Sequence, residues 1–252
     1  MATLDLGAQA MSSQDVLVCQ GLVKTFGGIT ATDHVHLRLH RGERHALIGP
    51  NGAGKTTLVH LLTGVLKPTE GRIELMGEDV GHLAFHQRVQ KGLVRTFQIN
   101  QLFDGLTPWE TVSLAVSQSM GWGAQWRSVL GSNTDVNLRS EALLAQFRLL
   151  DVMHQPTPQL PYGKRRLLEL ALALACQPRV LLLDEPAAGV PAGEREALMQ
   201  TLADLPKDVS VLLIEHDMDL VFSFAQRVTV LVNGAVLDRK STRLNSSHIP
   251  LS

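Results

Sequence analysis

The nine residues Gly49-Pro50-Asn51-Gly52-Ala53-Gly54-Lys55-Thr56-Thr57 restrict this chain more than any other stretch. They satisfy the pattern G-x-x-x-x-G-K-[ST] at every required position. Ala46-Leu47-Ile48 before them reads as a short buried strand, and Leu58-Val59-His60-Leu61-Leu62 after them as the start of a helix. Glycines let the backbone wrap an anion, so that successive N–H groups and the helix N-terminus face it. The anion such a cradle suits is a nucleotide polyphosphate. Lys55 would reach the β- and γ-phosphates and the Thr56 hydroxyl would hold Mg²⁺. Gly49, Asn51, Gly52, Ala53, Gly54 and Thr57 would complete the cradle. The competing reading, a chance glycine turn ahead of a helix, must meet all of these positions by accident.

The residues around the loop predict an α/β fold. Val16–Cys19 and Val23–Phe26 read as an opening strand pair around Gly21, and His34–Leu39 alternates with period two. Arg72–Gly77 gives another short strand. From about residue 80 to 175 the pattern is mostly helical. Thr107-Pro108-Trp109-Glu110 is a capping box that starts one helix. A loop at Gly121–Asn133 holds Trp122 and Trp126, Ser140–Leu150 is a second helix, and Gly163–Ala175 a third that is apolar nearly all round and therefore buried. Val180–Leu183 and Val211–Ile214 are continuous apolar strands that alternate with helices at Ala192–Leu205 and Leu220–Gln226. Such strands imply a parallel sheet covered on both faces. Asn233-Gly234 between two apolar runs signals a hairpin.

Composition narrows the class. The chain of 252 residues has 23 basic and 24 acidic side chains, a balance that argues against a nucleic-acid partner. Cys19 and Cys176 are far apart, which fits neither a disulfide framework nor a zinc site. No apolar run is long enough to span a membrane. Residues 1 to 14 lack a basic start and an apolar segment and read as a loose leader.

A second motif complements the loop. Asp184, after four apolar residues, would stand at the carboxyl end of its strand, where it can hold the Mg²⁺ of the nucleotide. Glu185 beside it can act as general base on an attacking water. The plainer reading is an acidic strand end that caps a helix. Ile214-Glu215-His216-Asp217 repeats the layout one strand later, and His216 could sense the γ-phosphate.

On these residues the chain resembles the ATP-binding subunit of an ABC transporter, from about Val16 to Leu237. Gln98, within Arg95-Thr96-Phe97-Gln98, falls at the position of the Q-loop glutamine, which implies a catalytic part and a share in the metal site with Thr56 and Asp184. Leu160-Pro161-Tyr162-Gly163-Lys164 falls at the ABC signature, which implies nucleotide contacts for Tyr162 and Gly163. Ala187-Ala188-Gly189-Val190 matches the D-loop, and His216 the switch histidine. Phe26 sits where the family stacks an aromatic ring on adenine, though a core role would serve it as well. The closest likeness is to the branched-chain amino acid uptake type, carried by Val94–Gln98, the Pro-Tyr-Gly signature, Arg165–Glu169, Asp184–Gly189 and Ile214–Met218.

The resemblance implies a P-loop NTPase core with an antiparallel β layer and a helical subdomain at about 97–175. It implies ATP and Mg²⁺ as ligands and a dimer, hetero rather than homo, with a sister ATPase. It further implies two membrane permease subunits, an extracytoplasmic solute-binding protein acting indirectly, and a peripheral place on the cytoplasmic face of the bacterial inner membrane. Three departures stand out. Pro161 replaces the signature serine, Lys164 replaces its glutamine with a positive charge, and Val190 is followed by Pro191 where the D-loop has aspartate. A soluble ABC-type ATPase acting on nucleic acid or ribosomes, and a binding-only subunit, are the alternative functions. Residues 238–252 read DRKSTRLNSSHIPLS, which an ordinary disordered terminus would explain, but the DNA that would encode Asp238–His248 resembles a common short-read sequencing adapter. The ATPase domain is therefore expected over 15–237, followed by a non-native tail.

Overall fold

The structure is a computed structural model and describes residues 14–96, 105–122 and 133–238. Two long strands open it, β1 (Asp15–Phe26) and β2 (Ile29–His40). A turn at Arg41-Gly42-Glu43 leads into β3 (Arg44–Ile48), the phosphate-loop motif and α1 (Lys55–Thr63). Then come β4 (Glu70–Leu75), β5 (Glu78–Asp79), α2 (Phe85–Gln90) and β6 (Leu93–Arg95). Three helices follow, α3 (Pro108–Ser119), α4 (Thr134–Gln146) and α5 (Tyr162–Ala175). The remainder alternates through β7 (Val180–Asp184), α6 (Ala192–Ala203), β8 (Ser210–Ile214), α7 (Met218–Phe224), β9 (Arg227–Val232) and β10 (Ala235–Asp238).

The strands form two sheets. One is antiparallel, in the order β2-β1-β4-β5, and the other runs β10-β9-β3-β8-β7-β6. In the second sheet every pairing from β9 to β6 is parallel and only β10 is antiparallel. Side-chain alternation sends Leu181, Leu183, Val211 and Leu213 into a core shared with α3–α6. Leu182, Leu212, Ile214 and Leu47 point the other way, into a core shared with α1 and the antiparallel sheet. Both faces are covered, so these strands carry no polar alternation.

Three expectations need correction. Val16–Cys19 and Val23–Phe26 belong to one strand, β1, rather than to a pair. Gly21, at φ 58°, forms a bulge between them that shifts the register toward both β2 and β4. The helical stretch from 80 to 175 contains β6, an edge strand whose three residues are too few to show a period. The second helix starts at Thr134 rather than Ser140, because the Asn133 side chain accepts from the Asp135 and Val136 N–H groups at 3.0 and 3.2 Å. It stops at Gln146, and Arg148 turns out of it at φ 54°.

Candidate functional site

β3, β8 and β7 are neighbours and run parallel, so their carboxyl ends lie side by side. Gly49 follows the first, Glu215-His216 the second, and Asp184-Glu185 stand at the third. This is the edge of a parallel sheet where ligands bind.

The phosphate-loop backbone is held by close approach. A Cβ on Gly49 would lie 2.2 Å from the Leu231 carbonyl, and one on Gly54, at φ 98°, would lie 2.3 Å from the Ala31 carbonyl. Gly54 is the N-cap of α1, so the first N–H groups of that helix, at Lys55, Thr56 and Thr57, point out of its positive end. Lys55 Nζ donates to the Gly49 and Pro50 carbonyls at 2.6 and 3.0 Å. The ammonium therefore already spans the loop. The Thr56 side chain and Asn51 are exposed, while Ala53 is buried beneath the loop.

Asp184 is paired with Arg95, whose Nη2 donates to Oδ2 at 2.6 Å. His60, on α1, is close to both: burial and the Arg95 charge hold its imidazole below the usual histidine range, against the pull of Asp184. Glu185 adopts φ 48°, a left-handed conformation that costs a residue with a Cβ about 1 kcal/mol or more. A hydrogen bond from its N–H to the Ile214 carbonyl, 2.9 Å, fixes it there. Its Oε1 lies 3.6 Å from His216 Nδ1, and both side chains reach solvent. Asp217 caps α7 by accepting from the Asp219 and Leu220 N–H groups at 3.1 and 3.3 Å, and it pairs with Arg195 at 3.2 Å. The histidine is thus anchored from the helix that follows it.

The signature stretch opens α5, with Pro161 at its N-cap. Gly163 is buried, and a Cβ there would lie 1.9 Å from Glu194 Oε2. A carboxylate of α6 therefore lies against the first turn of α5, where the helix dipole favours an anion. Tyr162 turns toward the segment after Glu185: its hydroxyl donates to the Ala188 carbonyl at 2.8 Å and lies against Gly189, at φ 73°. Arg166 Nη2 donates to the Tyr162 hydroxyl at 3.1 Å, and its Nη1 to Glu169 Oε2 at 2.9 Å. Lys164 does not present its charge beside Gly163. Its ammonium donates to the Arg148 carbonyl and to Asp151 Oδ1, the latter at 2.8 Å.

Phe26 is not core. It is about half exposed at the β1–β2 tip, with Lys24 Nζ 5.2 Å from its ring centroid. Gln98 and Trp126 lie outside the described residues, as do residues 1–13 and 239–252. Arg95 and Glu215 carry no motif signal of their own, and their side-chain contacts to Asp184 and Ala187 span too much chain to be read from the sequence. Cavities of about 540 and 440 Å³ share Met76, Gln177 and Arg179. They open at the amino ends of β6 and β7, away from the phosphate loop. Oxygen donors such as the Asp184 carboxylate and the Thr56 hydroxyl, completed by phosphate oxygens, match what Mg²⁺ takes.

A phosphate loop on an α/β core, an antiparallel sheet over α1 and a helical layer entered after β6 define an ATP-binding cassette, and the ABC transporter family model matches residues 32–188. The chain belongs to the ABC transporter family and is an ATPase. It is 39% identical over 233 residues to the high-affinity branched-chain amino acid transport ATP-binding protein LivG of Escherichia coli strain K12, covering 89% of this chain and 91% of that one. It is 38% identical over 235 residues to the corresponding BraF of Pseudomonas aeruginosa, with the same coverage. Among solved structures it is similar to the ADP conformation of MJ1267, an ATP-binding cassette of an ABC transporter, with TM-score 0.79, 27% identity and coverage of 90% and 91%. Among the described residues no helix is long and apolar enough to cross a membrane.

Proposed function

We propose that the chain is the ATP-hydrolysing subunit that energises import of branched-chain amino acids or similar small solutes. Its place is peripheral, on the cytoplasmic face of a bacterial inner membrane. The observation that carries the hydrolytic reading is the convergence of Lys55, Asp184, Glu185 and His216 at three adjacent strand ends, with Glu185 and His216 3.6 Å apart. Likeness to LivG and BraF supports the solute class.

Lys55 and the N–H groups of the loop bind the β- and γ-phosphates of ATP, and Phe26 offers its exposed ring to the adenine. Thr56, Asp184 and Gln98 would hold Mg²⁺, which supplies charge neutralisation at the phosphates. Asp184 leaves Arg95 to do so. Glu185 takes the proton of the attacking water, and His216, beside it, donates to the γ-phosphate. The signature end of α5, where Gly163 lies in the first turn and Tyr162 holds the Ala188 segment, completes the site of a sister ATPase in a head-to-tail dimer. That dimer drives two membrane permease subunits, which receive solute from an extracytoplasmic binding protein.

E185Q should retain ATP binding and lose turnover by about 10³-fold. K55A should lose ATP affinity. Unchanged hydrolysis by E185Q refutes its role as base, and unchanged affinity in K55A refutes the phosphate site. Labelled leucine uptake, restored by this chain together with its own permeases in a transport-deficient strain, tests the solute class. Failure there with hydrolysis intact removes the solute and leaves the ATPase.

A further inference from the structure

We propose that Glu215 is a positioning residue that sets the catalytic geometry of Glu185 and His216, an inference that rests on the roles assigned to those two above. Glu215 ends an apolar strand, after Val211, Leu212, Leu213 and Ile214, and is 1% exposed. A carboxylate buried this deeply costs several kcal/mol unless its oxygens are met. Here they are met by backbone donors from two separate stretches. Oε1 accepts from the Ala187 N–H at 3.3 Å, and Oε2 from the His216 and Asp217 N–H groups at 3.0 and 3.4 Å.

Those stretches are the two that carry the reaction. Ala187 lies two residues after Glu185, and His216 directly follows Glu215. One carboxylate thus ties the strand end bearing the base to the strand end bearing the histidine. It also faces the ring itself: His216 Nδ1 is 3.7 Å from Glu215 Oε2 and 3.6 Å from Glu185 Oε1. On its other side the segment after Glu185 is held through the Ala188 carbonyl by Tyr162. The link to Ala187 works with the Glu185 N–H bond to the Ile214 carbonyl, 2.9 Å, to set the distance between the two catalytic side chains. The other Glu215 bonds stay within its own turn.

The amide variant isolates that link. In E215Q the remaining oxygen can keep the His216 and Asp217 bonds. The new NH₂ group then meets the Ala187 N–H donor to donor, and the connection is lost. The expected result is a fall in kcat of about 10²-fold, the cost of a misplacement on the ångström scale, with ATP affinity and KM within about twofold of the parent and a shifted His216 imidazole resonance. Wild-type kcat in E215Q overturns the proposal. So does a kcat loss matched by an equal loss of ATP affinity, which marks a structural role only. Should E215Q fail to fold, replacing Ala187 by lactate removes the same donor alone, and a normal kcat there overturns the proposal as well. An inactive E185Q beside a fully active E215Q refutes this inference and spares the assignment of the base. An active E185Q refutes the assignment itself.

Discussion

The Gly234 amide donates to the Ala53 carbonyl at 3.0 Å. The turn of the last hairpin therefore supports the floor of the phosphate loop. Gly234 in turn accepts from the Asp33 N–H at 2.8 Å, so β2, the hairpin and the loop are joined at one point. Gly54 and Gly49 close the same joint by lying against the Ala31 and Leu231 carbonyls. The shape of the anion cradle is thus imposed by two other segments, β2 and the β9–β10 hairpin, rather than by the glycines alone.

G54A should disable this joint. The added carbon would stand 2.3 Å from the Ala31 carbonyl at a backbone φ of 98° that alanine avoids. Titration with a fluorescent ATP analogue should show affinity reduced by about 10²-fold or more, a displacement effect of the kind expected for a shifted binding group. G52A should cost less, because a Cβ there meets open space, although φ is 79°.

R88M should lower stability by about 3 kcal/mol or more. Arg88 is 1% exposed, and its guanidinium donates to four carbonyls, those of Leu61 (2.7 Å), Leu62 (2.6 Å), Leu83 (3.1 Å) and Gly81 (3.1 Å). Two of these are in the last turn of α1, where a cation also suits the helix dipole. Urea denaturation followed by circular dichroism measures the loss.

The stability difference between E169Q and the parent should depend on pH. Burial pushes the Glu169 carboxyl up to about 7, with Arg166 opposing. The folded state then holds a proton that the unfolded chain releases near 4.5, the ordinary value for a glutamate. The contribution is full below about pH 4.5 and is lost as pH rises through 7. E169Q, which cannot ionise, does not lose it. Its stability relative to the parent should rise by about 3 kcal/mol between pH 4.5 and 7.5. Denaturant titrations of both proteins across that range check the sign; a flat difference refutes it.

What was legible in the sequence was set by neighbours in the chain. The Thr107 box is as read: Thr107 Oγ1 accepts from the Glu110 N–H at 3.3 Å, and Glu110 Oε2 from the Thr107 N–H at 2.8 Å. Asn233 and Gly234 both have positive φ, 48° and 81°, as a tight hairpin turn requires. Apolar runs placed β7 and β8 because both faces of each are buried. What escaped was set by partners far away. Nothing beside Arg95 announces Asp184, and nothing beside Arg88 announces the end of α1. Lys164 reads as a cation beside the signature, but Asp151 holds it elsewhere. β1 reads as two strands in the sequence because a bulge at Gly21 interrupts the alternation without ending the pairing.

The order of the central sheet has a consequence for synthesis. β3, which leads into the phosphate loop, pairs with β9 through His45 and Arg227, residues 182 positions apart. The loop leaves the ribosome early, but Leu231 and Gly234, against which it rests, are translated nearly two hundred residues later. Over that interval a nascent chain carries the nucleotide motif without the bed that shapes it. Competence to bind should therefore arise abruptly once Gly234 has emerged, which keeps shorter nascent chains from drawing on cellular ATP.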